Sequence, residues 1–171
     1  MIFNMIIVFI SIILENIFNL YITRFNYFIP LFTLVSLIFI FPSFEHKKNN
    51  YYITSAIIGF IYDLFFTNFY ILNSILFLLV SIGIYYILST HKNSYFLIFE
   101  TTLFVIFFYN ILLFLILNFF NYVNYNLFDF SYFLRFFIVG NIIYSSILYL
   151  LFYKKFNNHK FSYSAYNYVG E

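Results

Sequence analysis

The chain has 171 residues, 64% of them hydrophobic and 8% charged, with a formal net charge of +2 and a mean hydropathy of +0.93. A soluble domain of this size keeps a mixed, largely charged surface, so the composition excludes one. The small charge, scattered among loops, argues against a nucleic-acid partner, and the absence of cysteine excludes disulfides, a thiolate nucleophile and Cys-ligated metal.

The apolar residues fall in long blocks, each near the ~20 residues that cross ~30 Å of hydrocarbon. They run continuously, without the alternation of period two that a membrane barrel needs. The sequence therefore predicts an all-α integral membrane protein, a bundle of six transmembrane helices. The excess of Phe (30) and Tyr (19) reads as lipid-facing filler.

The first block, from Ile2 to about Ile22, lacks the basic start and small-residue cleavage site of a signal peptide and carries Glu15, so it is expected to be a retained helix. The second covers roughly Tyr27 to Phe44, with Pro30 in its first turn and Pro42 at its end. After the hydrophilic loop from Glu45 to Asn50, the third runs from about Tyr51 to Phe66. A short uncharged turn, Thr67 to Tyr70, leads to the fourth, from Ile71 to Leu88. The fifth spans about Tyr95 to Phe119. An Asn- and Tyr-rich loop from Asn118 to Phe130 precedes the sixth, from about Ser131 to Tyr153. Residues 1–153 thus form the membrane domain and 154–171 a short polar tail.

Lys and Arg set the orientation. With the N-terminus in the cytoplasm, Lys47, Lys48, Lys92, Lys154, Lys155 and Lys160 all fall inside, while Arg24, with Arg135 just within the sixth helix, falls outside. Both termini of this multi-pass protein are then expected to be cytoplasmic.

Asp63 lies within the apolar run Ile57 to Phe66, where a carboxylate costs a few kcal/mol unless something satisfies it. Gly59 is four residues earlier, on the same helical face. A face carrying a gap and a charge is suited to protein and not to lipid. Asp63 is roughly 18 Å along the third helix, in the outer half, as are Glu15 and Arg135. Either acid can pair with Arg135, and an Asp63–Arg135 contact is expected, within the chain or across an interface. Two other courses are open: Arg135 can snorkel to the outer interface, and Glu15 can be protonated or neutralised by Arg24. Glu100 lies within reach of water or Lys92. Asn73, Asn110 and Asn141 read as mid-helix amides that bond between helices.

Catalytic constellations are missing from the sequence. His46, His91 and His159 have no second ligand at metal spacing, and there is no HExxH, GxSxG or Gly-rich phosphate loop. Only four glycines occur, and the two prolines flank the second helix instead of breaking one at mid-membrane. The chain is expected not to be an enzyme and to need no cofactor.

The run Gly59-Phe60-Ile61-Tyr62-Asp63-Leu64-Phe65-Phe66-Thr67-Asn68-Phe69-Tyr70-Ile71-Leu72-Asn73-Ser74 resembles the signature stretch of the MreD family of rod shape-determining membrane proteins. That family has a Gly, three mostly apolar positions, Asp, Leu, a short turn and a further helix. The likeness extends to size, the six-span layout, Glu15 in the first helix, Pro30 opening the second and the basic loop before the third. Where the family has Gly in or after the turn, this chain has Asn68 to Leu72, so only Gly59 and Asp63 are carried over. The resemblance implies a non-enzymatic scaffold of the cell-elongation complex that binds the single-span protein MreC and stands near MreB, RodA and its partner transpeptidase. It also implies a fold similar to the substrate-binding membrane subunit of energy-coupling-factor vitamin transporters, which is the alternative function. Against that alternative, the first helix lacks the Ala-rich docking face such subunits show.

Overall fold

The computed structural model describes residues 2–22, 30–67, 71–90, 95–120 and 138–152. Of these residues 92% are helical and none lies in a strand. Six α-helices are described: α1 (Ile2–Ile22), α2 (Phe32–Ile40), α3 (Lys48–Phe66), α4 (Leu72–Thr90), α5 (Tyr95–Phe119) and α6 (Ile138–Phe152). α1 and α5 have the bounds expected from the sequence. α3 starts a turn earlier than expected, within the hydrophilic loop.

α2 differs most from its expectation. It begins at Phe32, so Pro30 precedes the helix and does not open it, and Leu31 is the N-cap. The α-helix stops at Ile40, and Pro42 lies within a short 3-10 turn, Phe41–Ser43. Proline has no N–H to continue the α-helical bonding and clashes with the preceding turn, which is why the chain tightens there. All nine residues of α2 are buried. A helix apolar on every side belongs at the centre of a bundle. Phe32 packs on Phe18 of α1 and on Tyr144 of α6, with ring centroids 5.3 and 4.2 Å apart. The Tyr51 hydroxyl of α3 donates to the Leu37 carbonyl at 3.0 Å.

α3 shows what kind of solvent this exterior suits. Its buried stripe is Tyr51, Ser55, Ile58, Gly59, Tyr62 and Asp63, at helical spacing. Its outward positions include Ile53, Ile57, Phe60, Leu64 and Phe65, the last 68% exposed. Ser55, Gly59 and Asp63 are inside while large apolar side chains face outward, unlike the polar exterior of a water-soluble helix. α1 repeats the pattern, burying Ser11 and Glu15 while Phe9 and Leu20 face outward. α4 and α5, of 19 and 25 residues, are long and apolar enough to cross a membrane. At 1.5 Å per residue they reach ~29 and ~38 Å. At the start of α3, the Lys48 ammonium lies 5.8 and 5.6 Å from the ring centres of Tyr52 and Tyr85, so the aromatic-flanked basic end is opposite the end that holds Asp63.

Candidate functional site

Asp63 stands one turn before the end of α3, where its own helix offers no free N–H group and the dipole disfavours an anion. The chain turns back, and the start of α4 supplies what α3 cannot. The Asn73 backbone N–H donates to Asp63 Oδ2 at 2.8 Å and the Ser74 N–H donates to the same oxygen at 3.3 Å. Asn73 Nδ2 and the Thr67 hydroxyl both donate to Asp63 Oδ1 at 2.7 Å. Asn73 and Ser74 are the second and third residues of α4, the positions whose N–H groups an N-cap side chain normally satisfies. Asp63 is therefore an N-cap supplied by a different helix. It is 1% exposed. Bonds to a charged acceptor contribute about 1.5–3 kcal/mol each, so four of them outweigh the about 3 kcal/mol that a membrane-centred Asp costs on insertion scales.

Gly59, one turn earlier, lets this happen. A methyl group there would overlap the Asn73 carbonyl oxygen and come 2.8 Å from Ser74 Cα. Those neighbours are backbone, which cannot swing aside. The missing side chain sets the distance between α3 and α4, and that distance brings the Asp63 carboxylate onto the α4 amides. The Ser74 hydroxyl closes the contact by donating to the Ala56 carbonyl at 2.9 Å.

Glu15 does the same for α2. The Thr33 N–H donates to Glu15 Oε2 at 2.8 Å, and the Tyr62 hydroxyl donates to Oε1 at 2.8 Å. The Leu31 N–H donates to Asn141 Oδ1 of α6, also at 2.8 Å. With leucine at its N-cap, α2 has no local side chain to satisfy its first turn. The caps come from α1 and α6. Glu15, Thr33 and Asn141 are all fully buried. Each carboxylate thus sits in an odd-numbered helix and caps the helix that follows it.

The two caps are neighbours. Tyr62 is adjacent in sequence to Asp63 and bonds to Glu15. The Tyr109 hydroxyl of α5 donates to Asn73 Oδ1 at 2.7 Å, while the other end of that amide holds Asp63. A cavity of about 340 Å³ opens beside this network. Its polar lining includes Tyr62, Asn73 and Tyr109, and its apolar lining includes Phe66, Leu113 and Leu117. Among the described residues, no group of three His, Asp or Glu gathers to hold a metal ion.

Of the residues singled out from sequence, Gly59, Asp63 and Glu15 meet within this network, on the inward faces of α1 and α3. Arg135 and Arg24 lie outside the described residues, and with them the expected Asp63–Arg135 contact. Asn73 is at the start of α4, not mid-helix, and Asn110 donates within its own helix to the Ile106 carbonyl at 2.8 Å. Glu100 is exposed. Tyr62, Thr67 and Tyr109 were not distinguished in the sequence. Their one signal, a shared inward face with Asp63 or Asn110, is weak among 19 tyrosines. Comparison with protein-family models, with curated proteins and with solved structures gives no match.

Proposed function

We propose that this chain is a six-span protein of the bacterial cytoplasmic membrane, with both termini inside, that serves as a non-enzymatic scaffold of the cell-elongation complex in the manner of MreD. In this reading its fold is similar to that of energy-coupling-factor substrate-binding subunits. It binds MreC within the bilayer and stands beside MreB, RodA and the transpeptidase partner of RodA.

The observation that carries the reading is the joint use of Gly59 and Asp63. The two residues shared with the MreD signature act on one helix–helix contact, one by its absence of side chain and one by its carboxylate. That gives the glycine–three–aspartate spacing followed by a turn and a helix a single structural reason. The apolar exteriors of α1 and α3 suit lipid or a partner's apolar helix, and the buried polar side chains hold helices to one another. These are the properties of an assembly platform.

Depletion of the protein from a rod-shaped source bacterium is expected to give rounded, lysis-prone cells. MreC is expected to co-purify with it in mild detergent. Unchanged cell shape together with no recovered MreC would overturn the proposal.

A further inference from the structure

We infer that the groove between α1 and α3, at the basic end of α3, holds one acyl chain of an anionic phospholipid, with the phosphate of that lipid at Lys47. The inference rests on the membrane placement proposed above and not on the scaffold role. Its first ground is shape. A cavity of about 190 Å³ runs along α3 from Asn50 to Ile58. At 1.5 Å per residue that is ~12 Å, so the mean cross-section is roughly 16 Å². One extended hydrocarbon chain has about that section. A helix with its side chains, about 10–12 Å across, needs about 80 Å² or more. An acyl chain enters this groove, and a partner's helix does not.

The second ground is the lining. Val8 of α1, Ile40 of α2 and Ile58 of α3 are buried and make an apolar floor. Met5 and Ile53 line the same groove and are 52% and 58% exposed, so it opens to the exterior of the bundle. A hydrocarbon chain reaches it sideways from the bilayer. The polar lining residues, Asn50 and Thr54, belong to the first two turns of α3. A ligand that is apolar along its length and polar at one end matches that order.

The third ground is charge. Phe44 and Asn50 both line the groove, and Lys47 stands midway between them in the chain. Lys47, Asn50, Thr54 and Ile58 fall at i, i+3, i+7 and i+11, a single helical face, so the exposed Lys47 lies over the polar end of the groove. Lys47 is the N-cap of α3 and its side chain makes no capping bond. The start of α3 adds the positive end of its dipole. Lys48 is held over the rings of Tyr52 and Tyr85, toward α4 and away from this face. Glu45, Lys47 and Lys48, with His46 neutral, leave a net charge of +1 on the segment from Phe44 to Asn50. In the proposed orientation this end meets the cytoplasmic leaflet, where the anionic lipids lie.

The purified full chain would be incubated in detergent micelles with equal amounts of dioleoylphosphatidylglycerol and dioleoylphosphatidylcholine, then released in a native mass spectrometer. The two lipids share their chains and differ in charge. One retained phosphatidylglycerol is expected, favoured at least fivefold over phosphatidylcholine. Lys47→Gln should bring that ratio near one, while Lys48→Gln should leave it unchanged. Thr54→Phe, which fills the groove from a half-buried position, should lower the retention of both lipids at least fivefold. Lys47 is exposed, so Lys47→Gln decides the matter where Thr54→Phe does not fold. Equal retention of the two lipids, equal effects of Lys47→Gln and Lys48→Gln, or retention indifferent to a folded Thr54→Phe would overturn the inference. So would a dimer without lipid that Thr54→Phe abolishes, which would give the groove to a second copy of the chain. MreC recovery and cell shape are separate readouts, so failure here leaves the scaffold proposal to its own test.

Discussion

Asp63 and Asn73, ten residues apart on successive helices, are joined twice: the backbone N–H and the side-chain amide of Asn73 both donate to the Asp63 carboxylate, at 2.8 and 2.7 Å. The first bond caps α4, and the second fixes the amide so that its oxygen faces Tyr109 of α5. One acid thereby ties three helices. Its removal should cost more than the loss of a surface charge. Asp63→Leu removes the acceptor of four hydrogen bonds, two of them buried, and is expected to destabilise the protein by at least about 3 kcal/mol, whereas Asp63→Asn keeps one acceptor and should cost roughly half as much. Unfolding in detergent micelles measures both.

Gly59 and Gly83 offer a matched pair. An alanine at either meets close neighbours, but at Gly59 they are the backbone of Asn73 and Ser74, and at Gly83 they are the ring of Phe104. A ring can turn and a packed backbone cannot. Gly59→Ala is expected to cost about 1–3 kcal/mol, as overpacking does, and Gly83→Ala distinctly less. Thermal unfolding of the two variants side by side gives the comparison.

Glu15 and Tyr62 share one hydrogen bond between α1 and α3. A double-mutant cycle with Glu15→Gln and Tyr62→Phe isolates it. The coupling is expected to be about 1–2 kcal/mol, with the double variant less damaged than the sum of the singles. Strict additivity would mean that the bond contributes nothing.

The Asn141 side chain of α6 accepts from the Leu31 N–H at the start of α2. Tyr144, one turn on, reaches Ser11 of α1 at 2.7 Å. Asn141→Leu leaves a buried amide without its acceptor and is expected to lose about 1–3 kcal/mol. Tyr144→Phe keeps the packing on Phe32 and should lose about 1 kcal/mol. Chemical denaturation of the two variants tests the order.

The helical class and the bounds of α1 and α5 follow from apolar blocks alone, because a long run of Ile, Leu and Phe has few other outcomes. That Gly59 and Asp63 share a face follows from their four-residue spacing. What that face meets does not. Beside the side chains of Tyr62, Thr67 and Asn73, the groups that satisfy Asp63 and Glu15 are backbone N–H groups at Asn73, Ser74 and Thr33, and every residue but proline has one, so the sequence carries no mark of them. An acid in an apolar run suggests a basic partner such as Arg135, which lies outside the described residues; helix termini are a further source of positive charge. The start of α2 was misjudged for a related reason. Pro30 fits a first helical turn, but the bonds of Leu31 and Thr33 to Asn141 and Glu15 pull the N-cap one residue past it. Tyr62 and Tyr109 were hidden by composition, since nothing local separates a tyrosine that holds a carboxylate from one that faces lipid.

The tie between the Asp63 carboxylate and the Asn73 side chain is tested most directly by a double-mutant cycle in micelles, using Asp63→Leu, Asn73→Ala and the pair. If the acid stabilises the bundle by holding that amide at the start of α4, the two losses overlap and the coupling is expected to reach about 2 kcal/mol. Losses that simply add would contradict it.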